Sequence, residues 1–145
     1  MMTAPVLLFT YNRPVHTKQM LDALRKNPLS RESTLFVFSD GYKNETDRQQ
    51  VEEVRRVIHS LDGFKDIRIQ ENSGNKGLAT NIIEGVTRVI NEYGKVIVME
   101  DDLITSPFFL TFMNDVLNKF EKEEKIGHVH GYCYPNMGLP DLFLI

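Results

Sequence analysis

Four short apolar runs, each closing on polar residues and each followed by a helical pattern, constrain this chain more than any other feature. Residues 5–9 (PVLLF), 34–39 (TLFVFS) and 96–99 (VIVM) are continuously apolar or rich in β-formers, as buried parallel strands are. Residues 67–70 give a shorter, weaker strand, and residues 126–134 suggest a fifth. Between them lie amphipathic stretches. Thr17, Met20, Leu21 and Leu24 share one helical face, as do Val51, Val54, Val57, Ile58 and Leu61. Leu78, Ile82, Val86, Val89, Ile90 and Tyr93 form a third stripe, and Phe109, Phe112, Met113, Val116 and Phe120 a fourth. Asn12-Arg13-Pro14 and Ser106-Pro107 read as helix starts, Asn27-Pro28, Gly63, Gly94 and Gly127 as stops. This β-α alternation predicts an α/β fold with a mostly parallel, Rossmann-like sheet flanked by helices on both faces.

Composition bounds the partners. The 145 residues fit one domain, read over 1–145, and the 41% hydrophobic and 26% charged content is that of a globular chain. A net charge of −3 argues against a nucleic-acid footprint. The single cysteine, Cys133, excludes an internal disulfide framework and a cysteine-cluster zinc site. No apolar run reaches membrane-span length, and the N-terminus lacks a basic n-region. A cytoplasmic protein fits best. The chain ends in LPDLFLI, which reads as a strand or loop cut within a domain.

Ligands of such sheets bind beyond the carboxyl ends of the strands. Residues 10–13, Asp40-Gly41, residues 72–77 and residues 100–102 are therefore the ones to weigh. Glu100-Asp101-Asp102 follows the most apolar strand. Three adjacent carboxylates suit a hard cation, Mg²⁺ or Mn²⁺, but from spacing alone are more often a solvated loop before a helix. Asp40-Gly41 is a plain turn or a carboxylate accepting hydrogen bonds from a base or sugar. Arg13 is part of a helix start or lies against a nucleotide. At Asn75-Lys76-Gly77, backbone N–H groups opening a helix favour an anion, although the P-loop pattern is absent. His128 and His130 alternate on one face and are more often an ordinary pair than ligands. His16 and His59 fit a surface, and no Ser-His-Asp or Cys-His arrangement emerges.

Taken in order, VLLFTYNRP, FVFSDG, NSGNKGLATNI and VIVMEDD resemble the GT-A fold glycosyltransferases of the family-2-like type. The resemblance points to the branch related to the N-acetylglucosaminyltransferase I family, in a bacterial-looking form, and runs from Pro5 to Pro135. It implies transfer of a sugar from a nucleoside-diphosphate donor, UDP-linked as in UDP-GlcNAc, to a glycan or lipid-linked hydroxyl acceptor with Mn²⁺ or Mg²⁺. Thr10, Asn12 and Arg13 would border base and ribose, Asp40 would contact the uracil, and Lys76 and Gly77 would lie near the nucleotide. Glu100-Asp101-Asp102 matches the DxD-type motif: Asp102, with Glu100, would hold the metal, and Asp101 would lie near the ribose or donor sugar. The family's chain continues further, so the acceptor site and catalytic base are expected beyond Ile145. The apolar end (Leu139, Leu142, Phe143, Leu144, Ile145) is expected to support a homodimer, and the enzyme to work in the cytoplasm or at the inner face of a membrane. Two other classes compete. Phosphoryl-transfer domains on such sheets need an aspartate ending the first strand, where Thr10-Tyr11-Asn12 stands. A non-catalytic binding module with a structural acidic loop fits the same residues.

Overall fold

The computed structural model describes residues 3–132. The strands are β1 (Val6–Thr10), β2 (Thr34–Ser39), β3 (Asp66–Glu71) and β4 (Ile97–Glu100), and the α-helices are α1 (Pro14–Arg25), α2 (Glu45–His59), α3 (Leu78–Tyr93) and α4 (Phe109–Phe120). The four strands form one parallel sheet in the order β3-β2-β1-β4. Leu8 of β1 lies opposite Val37 on one side and Met99 on the other. All five residues of β1 are buried, as a central parallel strand covered on both faces requires.

The two faces of β1 feed two cores. Val6 and Leu8 pack with Met20, Leu21, Val54, Ile58 and Leu110, from α1, α2 and α4. Leu7 and Phe9 turn the other way, toward Val89, Ile82 and Val86 of α3. Strand alternation thus sorts neighbouring residues into opposite layers. Helices cover both faces of the sheet, and the fold is a Rossmann-like α/β fold. Gly85 lets α3 come down on β1, because a Cβ there would stand 2.9 Å from the Phe9 ring.

Several boundaries differ from the sequence expectation. A 3-10 helix at Pro28–Glu32 follows α1 where only a stop was expected. Asn27 explains it: its Oδ1 accepts the Leu110 N–H at 2.9 Å, so the turn is tied to α4 from a distance. The fourth helix begins at Phe109 rather than at Ser106-Pro107, and the Ser106 hydroxyl accepts the Phe108 N–H instead. The expected fifth strand over 126–134 is corrected within the described residues. Residues 126–132 form no strand, because no ladder partner reaches them: among the described residues β4 pairs only with β1. Val129 packs on the core while His128 and His130 are exposed. Residues 133 and 134, Cys133 with them, lie outside the described residues, as does the apolar stretch expected to support a homodimer. A cleft of about 770 Å³ runs along the outer flank of β4, lined mostly by apolar side chains such as Val98, Phe109 and Leu117.

The strand order fixes where a ligand site should fall. The chain runs outward from β1 to β2 to β3, then crosses back to β4 on the other side of β1. The crevice between the carboxyl ends of β1 and β4 is the topological switch point of the sheet.

Candidate functional site

A cavity of about 270 Å³ opens at that switch point. It gathers Thr10 to Arg13 after β1, Asp40 and Lys43 after β2, Asn75, Gly77, Leu78 and Asn81 before and within α3, and Glu100 to Asp102 after β4. All four strand-end segments singled out in the sequence meet here. Among the nine residues named as candidates, Thr10, Asn12, Arg13, Asp40, Gly77, Glu100, Asp101 and Asp102 line it.

Lys76 does not. Its Nζ lies 2.7 Å from Glu84 Oε2 on α3, so its charge is engaged along the helix rather than in the cavity. Only its backbone N–H turns toward the site, donating to Asp40 at 2.9 Å. The cation that the β2 side contributes is Lys43, whose Nζ stands 5.8 Å from the Tyr11 ring centre.

Asp40 is the hub of the floor. It is 5% exposed. Its Oδ1 accepts the backbone N–H of Gly41 at 2.9 Å and of Lys76 at 2.9 Å, and the Asn72 amide at 3.1 Å. Its Oδ2 accepts the Asn75 amide at 3.0 Å and the Gly77 N–H at 2.9 Å. Burial would raise this carboxyl, but the hydrogen bonds from the Lys76 N–H, the Asn72 amide and the Gly77 N–H, with the Asn81 amide close by, outweigh it and hold the group below its ordinary value. The anion favoured by the start of α3 is therefore supplied internally, and both Asp40 oxygens are committed to the protein. Asn81 completes the network: it accepts from Asn72 at 2.7 Å and donates to the Gly77 carbonyl at 2.8 Å. Arg55 braces the same loop, donating to the Asn72 carbonyl at 2.7 Å.

Two glycines permit this geometry. Gly77 caps α3 with φ of 81°, a region that side chains rarely occupy. Gly41 passes so close to the 72–77 loop that a Cβ would stand 2.7 Å from the Gly74 Cα.

The opposite wall is charged. Asp101 is largely buried and Asp102 half exposed, and Arg13 reaches across from the β1 side. Arg13 Nη1 lies 3.3 Å from Asp102 Oδ2 and 3.7 Å from Asp101 Oδ1. Burial pushes the Asp101 carboxyl up, Arg13 draws it back, and Asp102 raises it again. Thr10, 4% exposed, holds a hydroxyl with no hydrogen-bond partner among the described residues, an orphan that calls for a ligand or water. Tyr11 fixes the rim, its hydroxyl donating to Asp47 Oδ2 at 2.7 Å; burial and that bond raise its pKa.

The acidic wall passes a simple test for a hard divalent cation. Among the described residues no group of three His, Cys, Asp or Glu side chains forms a closed metal cage. Mg²⁺-type sites are commonly built from one or two carboxylates completed by phosphate oxygens and water. Asp101 and Asp102 on an open cavity match that pattern. His128 and His130 lie outside this cavity.

Sequence reasoning missed Lys43 and Asn81, and gave Tyr11 and Asn72 no role of their own within the segments it singled out. Asn81 shares the buried face of α3 with Gly85 and Val89, outside the apolar stripe read from the sequence, and nothing local marks it as a partner of Asn72.

No family model matches the chain, and no curated protein matches it. Among solved structures, S. aureus TarS, a glycosyltransferase, is similar with a TM-score of 0.55 and 17% identity. That alignment covers 83% of this chain and 20% of TarS, so the chain spans about a fifth of that protein's length. Protein Rv1636 of Mycobacterium tuberculosis H37Rv aligns at a TM-score of 0.43 and 11% identity, over 90% of this chain and 98% of that one, too distant to carry weight. At this identity the likeness to TarS is one of fold alone. Among the described residues no helix is long and apolar enough to cross a membrane.

Proposed function

We propose that this chain is the donor-binding part of a GT-A type glycosyltransferase, taking a nucleoside-diphosphate sugar, UDP-linked, in the crevice between β1 and β4. One observation carries the reading: the Asp101–Asp102 pair faces Arg13 across the topological switch point of a parallel sheet. A site with both an acidic pair and a guanidinium suits a ligand that is anionic yet accompanied by a cation, as a metal-bound diphosphate is. The glycosyltransferase-like fold shared with TarS supports the same class.

In this reading Asp102, with Glu100 and Asp101, would hold Mn²⁺ or Mg²⁺. The cation supplies Lewis-acid neutralisation of charge growing on the diphosphate leaving group. The chain's own residues do the rest. Arg13 faces the diphosphate, Thr10 and Asn12 border the ribose and base, and Lys43 adds a second positive charge at the rim. Asp40 acts at one remove. It holds residues 75–77 in place, and the base would meet Asn75 and the Gly77 backbone rather than the Asp40 carboxylate. The acceptor class carried with this reading is a glycan or lipid-linked hydroxyl, met in the cytoplasm or at the inner face of a membrane. The base that deprotonates it would come from outside the described residues.

The test is calorimetric titration of the chain with UDP, with and without Mn²⁺, repeated on Asp102→Ala. Metal-dependent binding that falls at least tenfold in the variant is expected. Equal UDP affinity in both proteins, or none in a folded wild type, sinks the proposal.

A further inference from the structure

Arg13 is placed to do more than meet a ligand. Its backbone is fixed at the start of α1, where its carbonyl accepts the Thr17 N–H at 2.9 Å and Pro14 follows at once. From there the side chain crosses the crevice to the far wall. Among the described residues, its ion pairs are those to Asp102 at 3.3 Å and Asp101 at 3.7 Å. Both pairs use the same nitrogen, Nη1, so the remaining N–H donors of the guanidinium are left to other partners.

A divalent cation approaching these two carboxylates therefore meets a positive charge already seated on them. Like charges a few ångströms apart repel, although the half-exposed position of Arg13 weakens the effect. A diphosphate changes the balance. It presents paired oxygens that match a guanidinium fork better than two splayed carboxylates do. Once it takes Arg13, the carboxylates are free for the cation, and the cation in turn binds the diphosphate. Resting on the donor-site reading above, we propose that Arg13 is an internal placeholder cation on Asp101 and Asp102, and that a divalent ion and a nucleoside diphosphate load this site cooperatively because each removes the other's competitor. Such coupling is reciprocal: the factor by which the diphosphate tightens metal binding equals the factor by which metal tightens the diphosphate.

The experiment measures free Mn²⁺ by electron paramagnetic resonance, with protein alone and with protein plus UDP, correcting for Mn²⁺ held by UDP in solution. Wild type, Arg13→Gln and Arg13→Lys are compared, each checked for folding by circular dichroism. Wild type should bind Mn²⁺ weakly alone and at least tenfold more tightly with UDP. Arg13→Gln should bind Mn²⁺ alone about three- to tenfold more tightly than wild type, and its enhancement by UDP should shrink by at least that factor. Arg13→Lys keeps the charge but loses the planar fork. It should stay within about twofold of wild type for Mn²⁺ alone while losing part of the UDP enhancement. No gain in Mn²⁺ affinity in a folded Arg13→Gln overturns the placeholder role, even where UDP binds wild type normally. Failure of wild type to bind UDP under any metal condition instead overturns the donor-site reading, and the Mn²⁺-only comparison still decides whether Arg13 occupies the acidic pair.

Discussion

The Asp40 carboxylate accepts the Gly77 N–H at 2.9 Å, joining the end of β2 to the start of α3 across 37 positions of sequence. With the Lys76 N–H on its other oxygen, this bond makes Asp40 the internal anion of the α3 N-terminus. The cavity floor is thereby organised before any ligand arrives.

Replacing Asp40 by asparagine keeps the shape but leaves one acceptor oxygen and sets an amide donor against donors already present. Leaving buried partners unsatisfied costs on the order of 2–4 kcal/mol, read as a lower urea midpoint at unchanged slope. The pH dependence has a definite sign. The folded carboxyl lies below its ordinary value of 3.8, so its contribution is present above that value and is lost as pH falls through the folded pKa. Wild type and Asp40→Asn should therefore differ constantly from neutral pH down to the ordinary carboxylate range, and converge below it. Denaturation curves at several pH values check this.

Gly41→Ala tests the floor by sterics alone. The new Cβ would meet the Gly74 backbone, 2.7 Å from its Cα, and a backbone contact cannot swing aside as a side-chain tip can. A cost of about 1–3 kcal/mol is expected, together with weaker UDP binding, because the displaced loop carries Asn75 and Gly77. A variant with wild-type stability and unchanged affinity would show that the loop accommodates the methyl freely.

Much of this was legible in the chain because it is written locally. The runs VLLF and TLFVFS are continuous because their strands are buried on both faces, and the stripes of α1 and α2 have helical spacing. VIVM reads the same way although β4 leaves Val98 exposed, and α3 buries Asn81, Gly85 and Val89 while Leu78, Ile90 and Tyr93 of the expected stripe stay exposed. The rule that ligands bind beyond the carboxyl ends of parallel strands then brought Thr10, Arg13, Asp40 and Asp102 together without coordinates. What failed depends on distant partners. Residues 126–132 alternate like a strand but meet no ladder. Lys76 looks poised for an anion until Glu84, eight residues on, takes its ammonium. Asn81 and Asn72 become one network with Asp40 only after α3 docks.

The two lysines near the cavity should accordingly behave differently. Lys76→Ala removes an exposed pair with Glu84, worth little in water, and leaves the backbone N–H to Asp40 intact. UDP affinity should change less than about twofold. Lys43 lines the cavity, so Lys43→Ala should weaken UDP binding by about three- to tenfold at low ionic strength, with the deficit shrinking as salt rises. Titrations of both variants at two salt concentrations distinguish them. The reverse order would return Lys76 to the site.

Asp101→Asn should separate stability from binding. Burial raises the Asp101 carboxyl, Arg13 and the Tyr11 backbone hydrogen bond oppose it, and Asp102 adds to it; the net direction is upward. A folded pKa above the unfolded one means the folded state holds the proton more tightly. The group then favours folding below its unfolded value and becomes a penalty as pH rises through the folded value. At neutral pH the ionised carboxylate therefore opposes folding. Asparagine removes the charge while its oxygen can still accept from the Tyr11 backbone, and the lost contact to Arg13, at 3.7 Å and half exposed, matters little. The variant should melt at a higher temperature than wild type at pH 7, with the gap closing toward acid pH, while metal-dependent UDP affinity falls at least tenfold. In wild type, metal-dependent binding should weaken on acidification at a pH above the ordinary carboxylate range. Scanning calorimetry paired with UDP titration across pH measures both halves, and an Asp101→Asn protein that melts lower at pH 7 would show that the ionised carboxylate stabilises the fold instead.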